Sequence, residues 1–292
     1  MAVTEEQLER WARGPSQTET ERCDTTVRRI TEALRPHFGS RVSIFPQGSY
    51  RNRTNVRQDS DVDVVVRDDH TYFPDLGQMN ADARFRYDQN QGVPDHTFGE
   101  FKSKVHQVLR ATFGSRVERK NKCIFVPETA TGVNGDVVPC FVHKRFGPTG
   151  NVIAEGIEFE ADDGRRFNSF PEQHYQNGTS KNDATRRMYK RLVRILKNVR
   201  GELVERGTLP TDAMPSFFTE CLVYNGAPDT VFLAETYFRA SKQVIDALWN
   251  ATGSEASHKL TEVNRLKWLF IDGRTPEQAR AFLQAAYTFI GH

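Results

Sequence analysis

Apolar positions along this chain change period several times, and the changes divide it into elements. Residues 4–12 carry a short amphipathic pattern ended by the breaker Gly14-Pro15. From Thr18 to Phe38, Cys23, Val27, Ile30, Leu34 and Phe38 recur at spacings of four, three, four and four, the period of one helix face, which predicts a long core helix. Arg41 to Phe45 reads as a strand closed by Pro46, and a second strand is predicted over Asp61–Val66. Residues 67–98 are mixed and polar and predict loops around a short helix, with no legible chemistry. Helical spacing returns at Phe101, Val105, Val108, Leu109 and Phe113, with Gly114 placed to stop it. Two β-rich runs follow, Arg116–Val126 and Val133–Val142, then strands at 152–159 and 165–168 around an Asp163-Gly164 hairpin signal.

Past Phe170-Pro171 the pattern is helical. A long helix is predicted to begin after Asn177-Gly178, near Lys181, and to run to about Arg206, with Met188 or Tyr189, Leu192, Ile195 or Leu196, Val199 and Leu203 facing inward. Opposite them Arg187, Lys190, Arg194 and Lys197 form a basic stripe. Such a stripe is either a solvated face or, beside a phosphate-binding turn, a grip on a triphosphate. Helices over Ser216–Tyr224, Val231–Trp249, Glu262–Ile271 and Pro276–Ile290 complete the chain. The expected fold class is α+β: a first lobe over residues 1–180 and a helical lobe over 181–292, with the cleft between them as the default active site.

Composition narrows the function classes. The chain has 292 residues, 27% charged and 37% hydrophobic, as expected of a soluble globular protein with one large or two modest domains. No apolar stretch approaches the roughly 20 residues of a membrane helix, and the N-terminus MAVTEEQLER has no signal-peptide apolar region, so a cytoplasmic protein is expected. Cys23, Cys123, Cys140 and Cys221 lie far apart and are read as buried thiols, neither a zinc site nor a disulfide framework. A net charge of +2 supplies no bulk grip on long nucleic acid, although a local basic patch stays open.

Chemistry concentrates in the stretch Gln47 to Asp63, QGSYRNRTNVRQDSDVD, which leads into Val64-Val65-Val66. Alternation in a strand puts Asp61 and Asp63 on one face and Val62, Val64 and Val66 on the other. Adjacent carboxylates repel unless a cation or proton separates them, so the pair reads as a platform for Mg²⁺ or Mn²⁺, or as a surface acidic cluster beside an edge strand. Gly48-Ser49 can bring backbone N–H groups and a hydroxyl close to phosphate oxygens. Gly-Ser, eleven residues, then D-x-D resembles the signature of polymerase-β-type nucleotidyltransferases, which requires a third carboxylate on a later strand. Asp136 stands in the run VNGDVVPCFV with Val138, Cys140 and Val142 on its own face. An acidic group there either reaches solvent at the strand start or needs a partner, and after a GS…DxD signature it is the natural third ligand.

QGSYRNRTNVRQDSDVDVVV, GDVVPCF, FPEQHYQNGTSKNDATRRMYKRLVRILKNVR and MPSFFTECLVYN together resemble the bacterial cGAS/DncV-like nucleotidyltransferases, or CD-NTases, and within them the clade E (CdnE-like) branch. The likeness runs from QLERW to the C-terminal helix. It implies an enzyme of CBASS anti-phage systems that joins NTPs such as ATP into a cyclic oligonucleotide, which then acts on a separate effector protein. Residue by residue, it places Gly48 and Ser49, preceded by Gln47, in the triphosphate-binding turn, and Asp61, Asp63 and Asp136 in the catalytic metal triad holding two Mg²⁺ or Mn²⁺ ions. In two-ion chemistry such metals activate the acceptor 3′-hydroxyl and neutralise the departing pyrophosphate. Lys197 and Ser216 match residues that hold the donor triphosphate, with Lys190 grouped beside them, and Phe217 matches an aromatic that stacks on the donor base. Phe218 is read as core. Ser169, before Phe170-Pro171, stands where asparagine goes with pyrimidine use and serine with purine use, so a cyclic dipurine product is expected, cyclic di-AMP before cyclic GMP-AMP. There is no Cys/His cluster for a DNA-contacting zinc insertion, so stable DNA binding is not expected. The competing readings are a nucleotidyltransferase acting on RNA or a small acceptor, and a non-catalytic nucleotide-binding module.

Overall fold

The computed structural model describes residues 3–56, 61–90, 92 and 94–291. The chain forms two compact units that are not consecutive halves. One comprises Met1–Pro15, Ser49–Asp59 and Glu172–His292, the other Ser16–Gly48 and Ser60–Pro171. Among the described residues, 3–15, 49–56 and 172–180, which a single boundary at 180 places in the first lobe, thus group with the C-terminal helices.

The second of these units is built on a mixed sheet. Among the described residues its strands are β1 (Val42–Pro46), β2 (Val62–Asp75), β3 (Glu118–Arg119), β4 (Ile124–Val126), β5 (Gly135–Phe146), β6 (Val152–Glu160) and β7 (Arg166–Ser169). The order is β1-β2-β5-β4-β3, with β6 pairing both β5 and β7. β2 and β5 pair in parallel and the other neighbours are antiparallel. Central strands covered on both faces explain why VDVVV and VVPCFV are nearly continuous apolar runs. Val62, Val64 and Val66 are buried as the alternation requires, and Val65, on the aspartate side, is buried too, in a cluster with Cys140 and Ile157. Helices α2 (Gln17–Phe38), α4 (Ala81–Asp88) and α5 (Phe98–Phe113) belong to this unit. Capping boxes at Ser16/Glu19 and Thr97/Glu100 start α2 and α5; each such N-cap stabilises its helix by about 1 kcal/mol.

The helical unit contains α1 (Glu5–Ala12), the short α3 (Gly48–Asn52, from Ser49 onward), α6 (Pro171–Ala184, from Glu172 onward), α7 (Met188–Glu205), α8 (Ser216–Tyr224), α9 (Tyr237–Gly253) and α10 (Pro276–Gly291). One apolar core runs from Leu8 and Ala12 of α1 through Leu192, Leu196 and Val199 of α7 to Phe282 and Ile290 of α10. The α1 end is anchored by polar bonds as well. The Arg194 guanidinium donates to the Ala12 carbonyl at 2.6 and 2.8 Å and to the Arg53 carbonyl at 2.6 Å. Glu5 accepts from the backbone N–H groups of Tyr237 and Phe238.

Several sequence expectations give way here. The helix expected to start near Lys181 is two helices, because Arg186 and Arg187 adopt left-handed backbone at φ 49° and 66°. Each such non-glycine residue costs about 1–2 kcal/mol, and the turn is held by Thr185 Oγ1, which accepts from Tyr189 N at 3.0 Å, and by Arg187 N, which donates to the Asn182 carbonyl at 2.6 Å. Asn177-Gly178 lies inside α6 instead of preceding a helix, where Asn177 Nδ2 donates to the Val263 carbonyl at 2.9 Å. Glu262–Ile271 is not helical: Asn264 Oδ1 accepts from Leu266 N and Lys267 N, and Thr261 pairs with Trp268. The helix expected over Val231–Trp249 starts at Tyr237, after a short 3₁₀ turn. β2 continues to Asp75 instead of stopping at Val66, held by pairing with β5 as far as Arg145.

Candidate functional site

Parallel pairing of β2 and β5 sets Asp63 opposite Asp136. Side chains at paired positions share a face, so the two carboxylates stand side by side. Asp61 lies one position before β2. Its Oδ1 accepts from Asn134 Nδ2 at 3.0 Å, and Val62 N donates to the Asn134 carbonyl at 3.0 Å. The pairing of 61 with 134 and of 63 with 136 therefore repeats at a two-residue step along both chains. Gly48 closes over Asp63: its φ is +67°, and a Cβ there would lie 2.2 Å from Asp63 Oδ2. No other residue fits without moving that carboxylate. Gln47 N donates to the Asp63 carbonyl at 3.0 Å, tying the end of β1 to the same place.

Asp136 Oδ1 is buried and has no hydrogen-bond partner among the described residues. Lys120 Nζ approaches it at 3.8 Å, beyond hydrogen-bond reach. The Cys123 thiol is pushed up to about 12, first by burial and then by the Asp136 carboxylate beside it. A buried carboxylate oxygen with no hydrogen bond costs about 1–3 kcal/mol, which the ion pair with Lys120 at 3.8 Å offsets in part. A divalent cation removes that cost, and an oxygen-only donor set matches Mg²⁺ or Mn²⁺. The residues thus fit a divalent ion, although among the described residues no three His, Cys, Asp or Glu side chains converge as a ready ligand set.

The remaining candidates lie elsewhere in the chain. Ser49 belongs to α3, and its carbonyl accepts from Thr54 N at 2.9 Å. Lys190 Nζ stands 5.6 Å from the centre of the Tyr175 ring, with Arg51 over the same ring at 5.1 Å, and burial lowers the pKa of the lysine. The basic stripe divides: Arg187 precedes α7 and is exposed, whereas Arg194 holds backbone carbonyls and Lys197 is only 4% exposed. Lys197 Nζ donates to Glu220 Oε2 at 2.9 Å and to Thr54 Oγ1 at 3.4 Å. Ser216 opens α8. Phe217 is 44% exposed while Phe218 is fully buried against Phe270, as core packing requires. The Phe217 ring is flanked by His174 at 5.7 Å and the Arg274 guanidinium at 5.8 Å. Ser169 ends β7 opposite Ile157 of β6.

Glu220 escaped the sequence reading. It is 3% exposed and accepts from Thr54 Oγ1 at 2.6 Å and Lys197 Nζ at 2.9 Å, and its Oε1 lies 2.9 Å from His174 Nε2. Burial is the largest influence on its carboxyl and would raise it. Lys197, with the hydrogen bonds from His174 and Thr54, outweighs burial and holds it well below the usual carboxylate range. The signal that could have found it was an acidic residue inside the apolar run SFFTECLVY, the argument applied to Asp136.

Residues 14–153 match the Second Messenger Oligonucleotide or Dinucleotide Synthetase domain, and residues 176–291 match the cGAS/DncV-like nucleotidyltransferase C-terminal helical domain. The chain is 44% identical over 294 residues, 100% of both chains, to a cyclic dipurine nucleotide synthase of Elizabethkingia meningoseptica. It is 35% identical over 276 residues, 93% of this chain and 92% of the other, to a cyclic dipyrimidine nucleotide synthase of Cecembia lonarensis. Its fold superposes on the E. meningoseptica CdnE synthase solved with GTP and Apcpp, with a TM-score of 0.85, 43% identity and coverage of 99% of this chain and 100% of that one. The c-UMP-AMP synthase of Rhodothermus marinus gives a TM-score of 0.84 at 32% identity, covering 99% and 98%. This chain belongs to the cGAS/DncV-like nucleotidyltransferase family, and it is a nucleotidyltransferase of the cyclic dinucleotide synthase type. Enzymes of this family generally use divalent metal ions. No helix among the described residues is long and apolar enough to cross a membrane.

Proposed function

We propose that this chain joins two purine nucleoside triphosphates through 3′–5′ phosphodiester bonds with release of pyrophosphate, making cyclic di-AMP first and cyclic GMP-AMP second. The observation that carries the chemistry is the pairing of Asp63 with Asp136, whose Oδ1 is buried and unsatisfied. Asp61, Asp63 and Asp136 would hold two Mg²⁺ or Mn²⁺ ions, which when bound supply charge neutralisation at the reacting phosphate. Asp136 accepts the proton of the acceptor 3′-hydroxyl. Gly48 lets the turn backbone lie against the Asp63 carboxylate, and Ser49, with Gln47 before it, meets the phosphates of the nucleotide. Lys197 has three donor hydrogens and spends them on Glu220 and, weakly, Thr54, which leaves one for a phosphate oxygen. Lys190 and Ser216 assist that grip. Phe217, exposed and ringed by His174 and Arg274, offers a face for a base.

Two observations support the purine preference. Ser169 leaves room where an asparagine amide would pair with a uracil edge, and the full-length relative at 44% identity is named a cyclic dipurine synthase. The product is read as a cytoplasmic second messenger of anti-phage defence that acts on a separate effector. The test is to incubate the purified protein with ATP, GTP, CTP and UTP in Mg²⁺ or Mn²⁺ and identify the product by mass spectrometry. Cyclic di-AMP as the main species is the expected result. Preferential entry of UTP or CTP would overturn the purine reading, and labelling only of added RNA would overturn synthesis of a free cyclic product.

A further inference from the structure

We infer that Glu220 is a positioning residue for nucleotide binding: its one carboxylate sets the pose of Lys197 and, through His174, the surroundings of Phe217. The inference rests on the reading of Lys197 and Phe217 as nucleotide contacts. Four separate pieces of the helical unit meet at this carboxylate. Thr54 comes from the segment that follows Ser49, and its own N–H is held by the Ser49 carbonyl at 2.9 Å. His174 comes from α6, Lys197 from α7, and Glu220 itself lies one turn along α8 from Ser216 and Phe217. Thr54, His174 and Lys197, far apart in sequence, are thus joined through the Glu220 side chain, with Ser49 bonded to the Thr54 backbone and Phe217 beside His174.

The geometry leaves the carboxylate little freedom. Oε2 accepts from both Thr54 Oγ1 and Lys197 Nζ, and Oε1 faces His174 Nε2, so both oxygens are engaged. Its ammonium partner is equally confined, with a Lys197 side chain 2% exposed. A lysine stem carries several rotatable bonds and loses much rotamer freedom when ordered. A buried anion that orders it in advance spares that loss when a phosphate binds, which is how preorganisation raises affinity. The second arm works by ring packing. His174 meets Glu220 at Nε2 and lies 5.7 Å from the Phe217 ring at an interplanar angle of 35°. Fixing the imidazole therefore fixes one wall beside the exposed aromatic.

The experiment compares wild type with Glu220→Gln, Glu220→Asp, Lys197→Met and the double variant Glu220→Gln/Lys197→Met. Thermal midpoints and binding of a non-hydrolysable ATP analogue with Mg²⁺ are measured, the binding well below each midpoint. Glu220→Gln keeps shape but removes charge, and Glu220→Asp keeps charge but withdraws it by one methylene. Both are expected to weaken binding about tenfold, the scale of one charge-assisted hydrogen bond. The double variant leaves no buried charge alone, so its midpoint is expected to recover toward wild type while its affinity does not. A purely architectural Glu220 predicts the reverse: lowered midpoints with unchanged affinity in Glu220→Gln and Glu220→Asp. That result overturns the inference, and affinity recovered in the double variant would overturn the reading of Lys197 as a phosphate contact. Should Glu220→Gln not fold, unchanged affinity in Glu220→Asp is enough to overturn the inference. Wild-type protein that binds no analogue would overturn the underlying reading as well, whereas wild-type binding insensitive to both Glu220 variants overturns this inference alone.

Discussion

Asp136 in the sheet unit and Glu220 in the helical unit pose the same problem and solve it differently. Each is a carboxylate set in an apolar run, GDVVPCF for one and SFFTECLVY for the other. Glu220 is surrounded by Thr54, His174 and Lys197, and both of its oxygens are engaged. Asp136 keeps a buried oxygen with no partner and a lysine at 3.8 Å. A carboxylate with both oxygens engaged has its hydrogen-bonding capacity filled within the fold, whereas one with a buried oxygen lacking a hydrogen bond keeps capacity for a further partner. The Gly48 backbone lies so close to Asp63 that a Cβ there would stand 2.2 Å from its Oδ2.

The sharpest way to break this contrast is to remove charge from the sheet unit. Asp61→Asn with Asp63→Asn is expected to abolish nucleotide joining, a loss beyond about 10³-fold in rate, with no fall in thermal midpoint. Product formed near the wild-type rate would end the assignment of these carboxylates. Glu220→Ala should, in addition to weakening nucleotide binding, lower stability by about 3–5 kcal/mol in urea unfolding, because it strands the Lys197 charge in the interior. Asp136→Asn should be neutral or stabilising in the same measurement.

A smaller effect is pH-dependent. The folded Glu220 carboxyl lies below its unfolded value, near 4.3 for a glutamate. Its contribution is therefore complete above about pH 5 and is lost as pH falls through 4 toward the depressed folded value. Glu220→Gln should flatten the acid limb of the stability profile, and an unchanged limb would show that other carboxylates set it. Lys197→Ala should raise the apparent KM for ATP about tenfold while leaving the Mg²⁺ dependence in place; an unchanged KM would return Lys197 to a purely structural part. Ser169→Asn should have the smallest effect on rate and shift product toward pyrimidine incorporation, and an unaltered product spectrum would remove Ser169 from base choice.

The local chemistry of the chain was legible where it depends on neighbours in sequence. The helix over Gln17–Phe38, the span Ser216–Tyr224 and the valine strand behind Asp63 follow from spacing alone, because a helix face or a strand face is a periodic set of residues. The expectation of Asp136 on a later strand follows from the same alternation, and the structure sets it opposite Asp63. Other features carried no local mark. The break at Arg186-Arg187 has neither glycine nor proline to announce it. Asn264 ends a helical pattern by a side-chain turn that competes with the helix. The periodicity of the basic stripe left two readings open, and it held no sign of the buried partners that other elements bring to Arg194 and Lys197.

What the sequence by itself determined is the identity and order of the groups: two aspartates one residue apart after a Gly-Ser turn, a third on a later strand, and lysines on a helix. Which of those charges are spent inside the protein was decided by tertiary structure. Thr54 and Glu220 are 166 residues apart in the chain and 2.6 Å apart in space. Periodicity reports only on residues within a few turns of one another. The pairing of a buried charge depends on which distant elements close around it, so no window of sequence contains it.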